Sequence, residues 1–225
     1  MRRTAEEAAQ TKAALLEAAL FQFAEHGVAA TKLADVAQRA GLTRGAVYHH
    51  FTDKTALYAA VIANSWDSVT APVWAVLDSD GPVEDRLREF LVAWLRRLRE
   101  DRHFRALLTI TLNASYGPDQ PEGISDGRAS KSYGLADWLQ RLETFLAGKR
   151  DGAGDGDGDG AGAGTGAGAG AGAGQRGTHA DDPSGAAAGI LAWLCGTALL
   201  AATDPDLLPP SDASGVALPL RGALP

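Results

Sequence analysis

Apolar residues recur along this chain at the three-and-four spacing of amphipathic helices, so its segments read one after another as helical. Leu15, Leu16, Ala19, Leu20 and Phe23 share one face of a helix predicted from about Thr11 to His26, which Gly27 ends. Leu33, Val36, Ala37 and Ala40 form the inner stripe of a second helix, with Thr31 as its candidate N-cap. Gly41 closes that helix by supplying the positive φ favoured at a C-terminus. Thr43 is placed to cap a third helix whose apolar positions are Ala46, Val47 and Phe51. Two short helices separated by a turn of three or four residues define a helix-turn-helix.

Beyond this head the pattern continues. Thr52 and Asp53 offer N-cap oxygens to a helix carrying Leu57, Tyr58, Val61, Ile62, Trp66 and Val69 towards Pro72. Gly81-Pro82 makes a turn that puts proline at a first helical position, with Glu84 and Asp85 near the positive end of the dipole. Leu87, Phe90, Leu91, Trp94, Leu95 and Leu98 follow. Phe104 to about Tyr116 is apolar on most sides, as expected of a helix inside a bundle, and Gly117-Pro118 stops it. A further helix is predicted from Ile124 to Leu146, although Gly127 and Gly134 each cost it about 1 kcal/mol relative to alanine. Asp181-Asp182-Pro183 starts another, with Ile190, Leu191, Leu194 and Leu199 as its large apolar residues. The tail holds Val216, Leu218 and Leu220 around Pro219 and supports only a short helix.

Residues 148–177 break the pattern with repeated Gly, Ala and Asp, a composition that cannot form a core and predicts a flexible insert. Asp155, Asp157, Asp159 and Gly160 match the first half of a calcium loop, but the twelfth position is Gly166 where a bidentate glutamate is needed. Calcium is therefore not expected. The expected architecture is all-α: a helix-turn-helix domain over residues 1–52, then a helical bundle for ligand binding and dimerisation over 53–225.

Charge sharpens the division. The chain carries a net charge of −7, yet residues 1–60 are net +1, leaving −8 for the remainder. A mildly positive head on an acidic body suits a small DNA-reading domain attached to something that does not touch DNA. The single cysteine, Cys195, excludes an internal disulfide and a thiolate cluster for zinc, and reads as an inert buried thiol in a reducing cytoplasm. No secretory signal is evident at the N-terminus, and the longest apolar run, Gly189–Ala202, is short of a membrane span. Neither metal nor cofactor is expected, and no membrane. Arg2 and Arg3 read as solvated residues at the terminus.

The third helix leaves Thr43, Arg44, Gly45, Tyr48, His49 and His50 off its apolar stripe. Guanidinium, phenol, imidazole and hydroxyl groups together suit phosphates and base edges, and a glycine lets the backbone come close. The segments Leu20-Phe-Gln-Phe-Ala-Glu-His-Gly27, Ala34-Asp-Val-Ala37 and Gly41–Tyr58 closely resemble the DNA-binding head of TetR-family transcriptional repressors. Residues 83–146, notably Arg102–Leu108, more loosely resemble the branch that represses multidrug efflux pumps. The resemblance implies a homodimer on a near-palindromic operator, released when a ligand in the body moves the heads apart. It places Thr43, Arg44, Gly45, Tyr48, His49, His50 and Lys54 at positions that touch double-stranded DNA, with Thr31 beside them at a helix start. It also implies that the last two long helices form the dimer interface, here through the small residues Gly189, Ala192 and Gly196 together with Trp193 and Leu200.

Composition suggests the ligand. Trp66, Phe90, Trp94, Phe104 and Trp138, with Asn113 and Tyr116 as polar handles, suit a sizeable apolar or aromatic effector. An enzyme is not expected: Glu100 and His103 have the Glu-x-x-His spacing of a di-iron helix, but a second such motif is missing. The competing readings are a helical ligand-sequestering protein and a regulator that acts as an activator.

Overall fold

The computed structural model describes residues 5–116, 135–151 and 183–223, and among them every regular element is helical. The head consists of α1 (Ala5–His26), α2 (Leu33–Arg39) and α3 (Arg44–His50). The body holds α4 (Lys54–Trp74), α5 (Val83–Glu100), α6 (Arg102–Tyr116), α7 (Leu135–Asp151), α8 (Pro183–Thr203) and α9 (Ala217–Ala223), with 3-10 turns at Ala75–Asp78 and Pro205–Leu207. The expected all-α architecture is what the chain adopts. The expected start at Ile124, the Gly/Ala/Asp insert with its calcium-like half-motif, and Arg2 and Arg3 lie outside the described residues.

Several boundaries differ from the sequence reading. α1 begins at Ala5, not near Thr11, because Ala5–Gln10 are good helix formers with Glu6 and Glu7 in the first turn. α4 runs through Pro72 to Trp74 before tightening into the 3-10 turn. A proline two residues from the end removes one hydrogen bond of the last turn and leaves the rest of the ladder intact. Pro82 sits at the N-cap of α5 and not at its first helical position. α8 starts at Pro183, as expected, but the apolar run Gly189–Ala202, expected to be short of a membrane span, lies in a 21-residue helix that by length and composition is apolar enough to cross one. Its inner face, Ala187, Ile190, Leu194 and Ala198, is buried within the bundle.

α1 is the element the two parts share. Its expected core face, Leu15, Leu16, Ala19, Leu20 and Phe23, is buried, but so are Ala18 and Phe21. The Phe23 ring meets Tyr58 of α4 edge-on at 5.9 Å, while Phe21 meets His103 of α6 at 5.0 Å and lies under the Arg102 guanidinium at 4.0 Å. Arg39 of α2 lies 5.4 Å from the same Phe21 ring, held there by Glu25 of α1 through bonds of 2.5 and 2.8 Å. That pairing lowers the Glu25 pKa.

α5 and α6 are joined by a cap that the sequence reading missed. The Asp101 carboxylate accepts the backbone N–H of His103 at 2.9 Å and of Phe104 at 3.1 Å, and it pairs with Arg97 at 2.7 Å. Burial alone raises its pKa, but the two N–H donors and Arg97 outweigh that and hold it below the usual value. Across the bundle the buried Trp94 indole N–H donates to the Thr197 hydroxyl at 3.0 Å, tying α5 to α8.

Burial of Tyr58 pushes its phenol pKa up to about 12. The folded chain therefore keeps a proton that the unfolded chain releases near pH 10, so stability is complete below pH 10 and falls as pH rises towards 12. The loss above that range is about 3 kcal/mol. Urea unfolding at pH 8 and pH 11.5 will show a larger drop for the wild type than for Tyr58→Phe. Equal drops would remove Tyr58 as the cause.

Candidate nucleic-acid interface

The geometry of the head is set at the α2–α3 turn. Gly41, with φ +67°, donates its N–H to the Gln38 carbonyl at 3.0 Å, and Leu42 donates to the Ala37 carbonyl at 2.9 Å. This paired closure is the Schellman arrangement, which satisfies two orphan carbonyls and turns the chain sharply into α3. Ala46, Val47 and Phe51 are buried beneath α3, as expected, and fix which face it turns outward. Thr43, Arg44, Gly45, Tyr48 and His49 are exposed on the other face.

Arg44 and Tyr48 form a pair on that face. The guanidinium donates to the Tyr48 hydroxyl at 3.3 Å and sits 5.5 Å from its ring, while the tyrosine remains 49% exposed. Neither group is committed to the protein core, and α3 has no acidic residue in its first turn. Thr43 occupies the N-cap position, but its side chain makes no cap hydrogen bond, which corrects the expected capping role. Gly45 lies within the helix, and a Cβ added there meets only the Thr43 Oγ1 at 3.9 Å. The fold does not require glycine at this position. His50 is half-buried, with its ring 5.3 Å from that of His49.

Two expected contact residues serve the head internally. Thr31 is buried and does not cap α2, whose N-cap is Lys32; its hydroxyl donates to the carbonyls of Gly27 at 2.7 Å and Gln22 at 3.1 Å. Lys54, at the first turn of α4, donates through Nζ to the carbonyls of Ala29 at 2.6 Å and Thr31 at 3.3 Å. Its ammonium therefore bridges α4 to the α1–α2 loop, while Asp53 caps α4 through the Ala56 N–H at 2.8 Å. Lys32, which the sequence reading passed over, is exposed at the start of α2 and makes no ion pair among the described residues.

The aromatic body residues expected to line a pocket pack on one another. Trp66 stacks on Trp138 at 5.5 Å, Trp94 meets Trp138 edge-on at 5.7 Å, and Phe104 meets Trp94 at 5.1 Å. Trp74 and Phe90 complete this buried cluster, 5.0 Å apart. Trp74 lies beyond Pro72, towards which the apolar pattern of α4 runs, and so is not among the expected residues. Asn113 and Tyr116 fall on α6, and their side chains lie outside the described part of the structure. A separate half-open cleft of about 610 Å³ lies between the Ala75–Asp78 turn, α5 and α7, and none of the expected wall residues lines it.

On α8, Gly189, Ala192 and Gly196 are exposed, Trp193 is half-buried, and Leu199 and Leu200 are 62% and 40% exposed. An added Cβ at Gly189 or Gly196 meets nothing within 4 Å. Leu207 and Leu218 of the tail are exposed as well. Cys195 is half-buried, and burial pushes its thiol pKa up. His103 is 3.4 Å from Glu17, and among the described residues no group of His, Cys, Asp or Glu is arranged to hold a metal.

A buried three-helix scaffold that presents a polar helix, continued by a helical bundle, defines a helix-turn-helix protein. Residues 15–61 match the family model described as bacterial regulatory proteins, tetR family. The regulator TtgR of Pseudomonas putida is 52% identical over 62 residues, 28% of this chain and 30% of the relative. A probable acrEF/envCD operon repressor of Escherichia coli is 38% identical over 112 residues, 48% of this chain and 50% of the relative. These matches thus span half or less of the relatives' own lengths. Among solved structures, SmeT, the repressor of the Stenotrophomonas maltophilia multidrug efflux pump SmeDEF, is similar at 28% identity with a TM-score of 0.58, covering 93% of this chain and 86% of SmeT. A SmeT–triclosan complex is similar at 27% identity with a TM-score of 0.59, over 95% of this chain and 90% of that one. Residues 15–61 are thus a DNA-binding head of the TetR type of bacterial regulators.

Substitutions separate surface roles from structural ones. Gly45→Ala will hold or raise the melting temperature, because alanine favours a helix by about 1 kcal/mol over glycine, yet it will weaken binding to duplex DNA by obstructing close backbone approach. Tyr48→Ala will weaken DNA binding at unchanged stability. Lys54→Met will lower both, since it also removes the bridge to the α1–α2 loop. Melting curves and DNA titrations on the three variants check this, and a Gly45→Ala protein with wild-type DNA affinity would count against backbone approach at that position.

Proposed function

We propose that this chain is a ligand-responsive transcriptional repressor that binds a near-palindromic operator as a homodimer. It leaves the operator when a small apolar or aromatic effector acts on the body. The observation that carries this reading is the outward face of α3, where polar groups with no part in the core stand on a fully buried scaffold. Thr43, Arg44, Gly45, Tyr48 and His49 are the proposed contacts on α3, with His50 behind them and Lys54 at the start of α4. Arg44 supplies a charged fork for guanine or phosphate, and Tyr48 an uncharged phosphate donor. The working division is a DNA-reading domain over residues 1–52 and an effector and dimerisation domain from residue 53 onward, acting in the cytoplasm.

An operator of two half-sites requires the recognition helices to lie one helical turn apart, about 34–36 Å. The exposed small and apolar face of α8 supports a second copy as the means of spacing them, because glycine and alanine let helices pack closely. The similarity to SmeT, known in complex with triclosan and described as the repressor of a multidrug efflux pump, supports an apolar aromatic effector and an efflux transporter gene as the target.

Selection of random duplex DNA on the full chain, repeated with triclosan and related apolar aromatics, tests the reading. A palindrome will be enriched, and active compounds will release it. If no sequence is enriched while the compounds still quench tryptophan emission, the chain is a ligand-sequestering protein instead. Ala192→Glu will convert the dimer to a helical monomer in light scattering, and its operator affinity will fall at least about tenfold. A dimeric Ala192→Glu protein would remove this face from the interface.

A further inference from the structure

We infer that the cleft between the Ala75–Asp78 turn, the start of α5 and the outer row of α7 is a second small-molecule site, built for an organic anion with an apolar body. Its volume of about 610 Å³ lies within the range of small-molecule pockets. Leu77, Val83 and Phe145 give it an apolar wall, and Arg86 and Arg141 line it with two guanidiniums.

Arg86 is the group that selects the ligand. It is half-buried, and one of its amino groups donates to the Leu77 carbonyl while the guanidinium lies 4.9 Å from the Phe145 ring. Among the described residues its buried Nε–H has no hydrogen-bond partner and no carboxylate pairs with it. A partly desolvated cation in that state lacks the counter-charge that normally accompanies burial, and a carboxylate is the group whose geometry matches a guanidinium fork. Arg141 is engaged by Asp78 at 2.8 Å, but both are exposed, so this pair is weak and exchangeable for a ligand carboxylate. Asp137 also lines the cleft, in the first turn of α7, where the helix dipole offsets its charge. With two guanidiniums and two carboxylates the lining is formally neutral, and the buried Arg86 Nε–H is the donor at the apolar wall that a ligand oxygen would satisfy.

This site shares no residue with the buried tryptophan cluster, and its occupancy does not depend on DNA binding. The test is calorimetric titration of the full chain, without DNA, using 4-phenylbutyrate and its neutral amide as a charge-switched pair. The acid will bind saturably with one site per chain, and the amide at least about tenfold more weakly, the discrimination expected from one charge-assisted contact. Arg86→Gln will weaken the acid by a similar factor with helicity retained in circular dichroism. Equal affinity for acid and amide, no heat from the acid at millimolar concentration, or wild-type affinity in Arg86→Gln would each overturn the assignment. The acid and amide comparison on the wild type decides the matter if the variant fails to fold.

Discussion

The two-sided burial of α1 is the constraint on which the rest of the structure depends. A helix of a small three-helix head ordinarily keeps one face in water, but here Phe23 faces Tyr58 of α4 while Phe21 faces Arg102 and His103 at the start of α6. Leaving Phe21 in water would forgo about 2–3 kcal/mol of hydrophobic stabilisation. Any displacement of the start of α6 must therefore either part that contact or carry α1 with it. The Glu25–Arg39 pair holds α2 on the same ring, so α1, α2 and the start of α6 converge on the Phe21 side chain.

α4 makes the second connection, and of a different kind. Its 21 residues extend about 31 Å, and they place Tyr58 in the head core and Trp66 and Trp74 in the aromatic cluster of the body on a single rod. A continuous helix transmits tilt, whereas the α1–α6 contact transmits translation, because ring packing resists separation and permits sliding. The Trp94–Thr197 bond then ties the same cluster to α8, whose outer face is uncovered. Head, cluster and exposed face are thus joined through groups in direct contact.

What was legible in the sequence was what short-range periodicity encodes. The apolar stripes of α1, α3 and α5, the turn glycine at position 41 and the proline start of α8 all lie where spacing and backbone preference put them. The features that were missed involve partners distant in sequence. Phe21 belongs to no face of α1 that a single stripe predicts, and it is buried because α6 arrives from eighty residues away. Trp74 was hidden by Pro72, because a proline near a helix end weakens the helix without fixing its last residue. The aromatic residues read as pocket walls pack on one another, and periodicity does not distinguish rings that line a space from rings that fill it.

The polar residues of the head show the same distinction. Thr31, Lys54, Arg44 and Tyr48 have equally suitable chemistry for a phosphate, and sequence spacing alone treats them alike. The fold separates them. Thr31 and Lys54 are committed to backbone carbonyls of the α1–α2 region, where otherwise unpaired acceptors would weaken the turn. Arg44 and Tyr48 bond only to each other and remain at the surface. The first pair fixes the angle at which the second is presented, so on the proposed reading a substitution in either set disturbs recognition, but only the inner set disturbs the head. The two glycines of the motif divide in the same way: Gly41 is demanded by a positive φ inside the chain, and Gly45 by nothing inside it. A helix-weakening glycine at an exposed helical position that packing does not require leaves the backbone open to close approach from outside.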